Sequence, residues 1–139
     1  MKKVLCAAIL GLLFVGCAGV VSQKTADLNV SDLSNSSWTL VEISGKKPDI
    51  KKIPEIRFLE DRAAGFNGVN NFGANYKLSN GKLIFSQMVA TQMAALSPEL
   101  SKLEKEFTNV LLNAVSFEVD EDFLTIRSTN DTLFFKKIR

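Results

Sequence analysis

Carboxylates gather at Glu118, Asp120, Glu121 and Asp122, and clustered carboxylate oxygens are what a hard cation such as Ca²⁺ would need. No glycine-containing EF-hand loop surrounds them, so the run reads as a solvated hairpin tip. Acid–base catalysis needs two carboxyls held at a set separation in a cleft, and one acidic turn does not supply that. Asn67, Asn70, Asn71 and Asn75, with Tyr76, offer amide and hydroxyl groups suited to a sugar or peptide partner. The competing reading has these groups bonding their own irregular backbone. Lys46, Lys47, Lys51 and Lys52 crowd one loop around Pro48. They either touch anionic lipid headgroups, each worth about 1 kcal/mol near a charged leaflet, or stand in an ordinary solvated loop.

The chain contains no histidine. That removes the commonest general base, the commonest transition-metal ligand and most ways of activating a serine or cysteine nucleophile. No catalytic residue, metal ligand or cofactor is therefore expected. The two cysteines are Cys6 and Cys17, and neither is available for a disulfide if Cys6 is removed and Cys17 is modified.

Cys17 is the residue whose surroundings point to definite chemistry. Two lysines, an apolar run from Val4 to Val15, then Gly16 and Cys17 have the layout of a secretory signal. The run is shorter than the roughly 20 apolar residues a spanning helix needs. Phe14-Val15-Gly16-Cys17 resembles a lipobox, in which the cysteine thiol receives diacylglycerol before cleavage, although Leu is more usual than Phe at its first position. Two or three acyl chains would hold the protein at a membrane essentially permanently. Ala18, rather than Asp, after the cysteine favours the periplasmic face of an outer membrane. The expected organisation is a signal peptide over 1–16, a lipidated cysteine and tether over 17–36, and one domain over 37–139. The alternative for the tether is that Leu28–Leu33 packs on the domain. Cleavage takes two lysines off the seventeen basic residues and leaves fifteen against fifteen acids. A neutral domain argues against nucleic acid as a partner.

The elements that must position these groups are short. Ser37–Ile43, Ile53–Leu59 and Arg62–Asn67 read as strands, and the Gly- and Asn-rich stretch to Gly73 reads as a bulge or irregular turn. Asn80-Gly81 between Tyr76-x-Leu78 and Leu83-x-Phe85 predicts a hairpin with a type I′ turn. Ser97 followed by Pro98 and Glu99 predicts a helix start. Leu100, Leu103, Phe107, Val110, Leu111 and Ala114 then form a one-sided apolar stripe. Ser116–Val119, Phe123–Ser128 and Thr132–Ile138 close the chain as strands. The sum is an α+β class: a mostly antiparallel curled sheet or barrel of short strands with one major amphipathic helix. Its core is expected to centre on Trp38, Phe58, Tyr76, Phe85, Phe107, Leu111 and Phe135.

Trp38-x-Leu40, Ile56-x-Phe58, Gly68-Val69-Asn70-Asn71-Phe72, Tyr76, Leu83-x-Phe85, Thr91-Gln92-Met93-Ala94, Glu106-Phe107 and Leu133-x-Phe135 occur in one order across the domain. This series resembles the META-domain, or HslJ-like, family. Val69 and Ala95 stand where the family usually has cysteines, and Ala74 where it often has glycine. Joint loss of those cysteines implies neighbouring positions, and no disulfide or redox role carries over. The resemblance implies a compact envelope lipoprotein, at times linked to stress responses, without an established enzymatic activity. The leading expectation is a non-enzymatic domain, anchored through Cys17, that binds a protein or lipid partner. A stress or stability factor without a defined ligand is the alternative, and a carboxylate- or serine-based hydrolase comes third. Mass spectrometry of the protein purified from membranes should show an amino terminus at Cys17 carrying acyl mass. A soluble product cleaved elsewhere would remove the anchor.

Overall fold

The computed structural model describes residues 33–139; the expected signal segment, Cys17 and the expected tether up to residue 32 lie outside them. Eight strands follow one another as β1 (Ser36–Ile43), β2 (Glu55–Phe58), β3 (Arg62–Phe66), β4 (Asn71–Ser79), β5 (Lys82–Ala90), β6 (Ser116–Asp120), β7 (Phe123–Arg127) and β8 (Thr132–Lys137). Helix α1 (Pro98–Leu112) lies between β5 and β6. All pairings are antiparallel, in the order β5-β4-β3-β2-β1-β8-β7-β6. The first strand is thus the seam between two meanders. It pairs with β2 through Trp38↔Ile56 and with β8 through Leu40↔Phe135.

Alternation along these strands puts one face inward and curls it around a core. Trp38, Ile56, Phe58, Leu83, Leu124, Ile126, Leu133 and Phe135 are buried, as are all seven residues expected at the centre. Bulges between Leu40 and Glu42 and between Gly73 and Asn75 tighten the curl. The terminal strands β5 and β6 approach within 8 Å without pairing, so the barrel stays open along one side. The hairpin β4–β5 turns at Asn80 and Gly81, with φ of 51° and 71°, as a type I′ turn requires.

Helix α1 closes the opening. Ser97 Oγ accepts a hydrogen bond from the Leu100 amide at 3.3 Å, and Pro98 occupies the first turn. Leu103, Phe107, Val110 and Leu111 face inward. The Phe107 ring sits between Phe72 of β4, at 5.8 Å, and Phe135 of β8, at 6.0 Å between centroids. It therefore joins the two meanders across the gap that hydrogen bonds leave open.

The packed unit begins earlier than the Ser37 boundary read from sequence. Leu33 is fully buried, and Ser36 Oγ donates to its carbonyl while accepting from Trp38 Nε1 at 2.7 Å. The last residues assigned to the tether are thus built into the barrel. Phe107→Ala should cost about 3–5 kcal/mol in chemical denaturation, since it empties a closed core site. A loss below about 1 kcal/mol would contradict the plug.

Candidate functional site

The Asn-rich stretch folds around two buried amides. Asn67 and Asn70 are 3% and 4% exposed. Asn67 Oδ1 accepts from the amides of Val69 (3.1 Å) and Asn70 (2.7 Å), closing a tight turn. Gly68 at its apex has φ of +105°, a conformation that favours glycine, and a Cβ there would press on Leu103 Cδ2 at 2.9 Å. Asn70 Oδ1 accepts from Thr91 Oγ1 (2.7 Å) and the Met93 amide (2.8 Å). Its Nδ2 donates to the Met93 carbonyl (3.1 Å) and to Glu104 Oε1 (2.6 Å). All four hydrogen-bonding positions of that amide are used. Asn67 Nδ2 adds longer contacts to Glu104 and Thr108. The turn, the segment after β5 and the helix are tied at one point. The positions at which the resemblance expects cysteines, Val69 and Ala95, fall on the two segments that Asn70 joins.

Gly68 and Val69 of the turn also line a cleft of about 570 Å³ between the loops 49–52 and 93–96. Ile50, Phe66, Val69, Met93, Leu96 and Leu100 give it an apolar lining, and Lys51 and Lys52 stand on its rim. Lys52 Nζ lies 3.9 Å above the Phe66 ring, a cation–π contact that fixes the ammonium at the mouth. Met93 is 67% exposed and Leu96 95% exposed, so both reach outward beside the recess. A larger but more open depression of about 620 Å³ runs along Glu104, Thr108 and Leu112.

The structure divides the other groups singled out from sequence. Asn71 is exposed and borders the cleft. Asn75 Nδ2 donates to Gln87 Oε1 at 2.6 Å, across the bulge in β5. The Tyr76 side chain is buried, and its hydroxyl donates to the Leu59 carbonyl at 2.6 Å. Burial raises its pKa above the usual 10.0, and the nearby Asp61 carboxylate pushes the same way against a hydrogen bond with Ser34. In the acidic turn, Glu118 pairs with Arg127 at 3.2 Å and Asp122 with Arg139 at 2.6 Å. No three His, Cys, Asp or Glu side chains come together to hold a metal among the described residues. Ser44 Oγ donates to Asp131 Oδ1 at 2.9 Å and accepts from the Thr132 amide. That exposed pair ties the turn after β1 to the start of β8. At the helix start, the Glu99 pKa is lowered by backbone and Ser97 hydrogen bonds. Met93 and Leu96 were not recognisable as surface groups, since an apolar residue in a short segment reads as core.

An open antiparallel barrel, plugged by one helix and cleft beside the plug, defines a small α+β protein built on a single curled sheet. The chain belongs to the META domain family, whose match covers residues 31–139. It is 29% identical over 137 residues to heat shock protein HslJ of Escherichia coli strain K12, covering 98% of this chain and 96% of that protein. A protein solved by NMR matches with a TM-score of 0.68 and 27% identity, over 78% of this chain and 94% of its own. A Burkholderia xenovorans protein, also solved by NMR, shares the fold with a TM-score of 0.66 and 19% identity over 99% of both chains.

Asn70→Ala should lower stability by at least about 2 kcal/mol, because it removes four hydrogen bonds that a buried amide makes to two other segments. Asn71→Ala should stay within about 0.5 kcal/mol. Equal effects in urea denaturation would show that the inward and outward asparagines are misassigned.

Proposed function

We propose that the protein is an envelope lipoprotein, held through acylated Cys17, whose META domain works by contact rather than by chemistry. The contact surface is the cleft between residues 49–52 and 93–96, and its occupant is a protein or lipid of the envelope. One observation carries this reading: Met93 and Leu96 project from a braced segment beside a recess that is apolar inside and cationic at its rim. Solvent exposure of large apolar groups next to a concave site is costly unless something covers them. The lack of histidine supports contact over catalysis, because the usual general base is missing. Ala18 after the cysteine supports a location at the periplasmic face of an outer membrane.

A second reading draws on the similarity to a protein named as a heat shock protein. Under it, the domain's contacts matter chiefly when the envelope is stressed. Both readings use the same surface. A photo-crosslinking residue in place of Leu96 or Met93 should give adducts in intact cells, while the same residue in place of Glu118 should give none. Adducts at Glu118 alone, or at none of the three, would overturn the assignment of the cleft.

A further inference from the structure

Resting on that reading of the cleft, we propose that its occupant is the headgroup layer of an anionic phospholipid bilayer. Met93 and Leu96 dip below the phosphates, and Lys46, Lys47, Lys51 and Lys52 lie against them.

The first argument is charge. Four lysines and a single acid, Asp49, occupy residues 46–52, in a chain that is neutral once residues 1–16 are removed. The basic excess is therefore local to this loop, of which Lys51 and Lys52 line the cleft. Lys46 and Lys47 are exposed, as are Lys51 and Lys52. Their number is that of the short basic clusters that hold juxtamembrane segments to acidic leaflets. The second argument is the kind of side chain. Protein interfaces are depleted in lysine and favour arginine and aromatic anchors. The cations here are lysines with no arginine among them, and the outward apolar groups are the flexible Met93 and the branched Leu96. That combination suits a fluid, anionic surface better than a shaped protein one.

The third argument is stiffness. Both backbone groups of Met93 are bonded to the Asn70 amide, and Ser97 caps the helix that begins next. Leu96 is thus presented from a short, braced segment, and docking need not freeze a loose loop. The fourth is reach. The chain enters the barrel at Leu33–Ser36, where Ser36 pairs with Phe58. The cleft adjoins the other end of β2, where Glu55 pairs with Phe66. That four-residue strand spans about 13 Å, whereas the sixteen residues from Cys17 to Leu33 extend to at most about 55 Å. A lipid on Cys17 therefore leaves the domain free to turn its lysine end onto the same leaflet.

The test uses the full-length lipidated protein, reconstituted in vesicles whose acyl chains are brominated. Leu96→Trp places an indole at the tip; the native Trp38 is fully buried and supplies the unquenched baseline. The new indole should be strongly quenched in phosphatidylglycerol–phosphatidylcholine vesicles and hardly at all in phosphatidylcholine alone. Phe123→Trp, at the β6–β7 hairpin, should be quenched in neither. Lys51→Glu with Lys52→Glu should lower the docked-to-free ratio by at least about twenty-five-fold, at roughly fivefold per lysine. All of these positions are exposed, and unchanged thermal midpoints verify folding. An unquenched indole in anionic vesicles, or equal quenching without anionic lipid, overturns the proposal. Cellular adducts from Leu96 to a protein, with no bilayer quenching, would overturn the lipid assignment but spare the cleft. No adducts at Leu96 or Met93 would overturn the cleft itself.

Discussion

The Asn70 side-chain amide is the joint on which the rest of this structure depends. A buried amide without partners costs several kcal/mol, so the segments that satisfy it are obliged to meet. Here they are the stretch Thr91–Met93 and Glu104 on α1, which the amide ties to its own turn. Because they meet, the helix lies across the opening of the barrel, and Phe107 reaches Phe72 on one side and Phe135 on the other. Apolar burial supplies most of the energy of that packing. The amide supplies its geometry, since directional hydrogen bonds fix a position that grease alone leaves loose.

The same joint sets what faces outward. Met93 is held by its backbone, so its side chain is free to project, and the capped helix start begins four residues later. Leu96 is left on a short bridge between two fixed points, almost wholly exposed. On the other wall, the loop before β2 brings Ile50, Lys51 and Lys52 to the recess, with Lys52 resting on Phe66. These contacts thus produce an asymmetric surface: apolar groups with Lys51 and Lys52 at the cleft, and acids paired to arginines at the β6–β7 turn.

What was legible in the sequence was mostly what depends on near neighbours. Asn80-Gly81 demanded positive φ, Ser97-Pro98 demanded a helix start, and the stripe through Phe107 demanded a buried face; each appears as read. The antiparallel class followed from strand spacing, and membership of the META family from an ordered series of weak motifs. The asparagines are harder, because a polar side chain in a turn looks the same whether it faces water or a buried helix. Asn67 and Asn70 turn inward only because Glu104 and Met93, far along the chain, arrive to meet them. The cleft was illegible for the same reason: its walls come from segments far apart in sequence. Leu33 was open to both readings, tether or a Leu28–Leu33 segment packed on the domain, because one apolar residue among polar ones has no periodicity to decide its burial.

Hydrogen–deuterium exchange on the full-length protein, free and bound to isolated envelope membranes, addresses the contact surface most directly. The account predicts slowed exchange in residues 49–52 and 94–96, the loops that flank the cleft, and unchanged exchange in β6 and β7. Protection confined to the β6–β7 hairpin, or none anywhere in the domain, would contradict a function exercised by contact at the cleft.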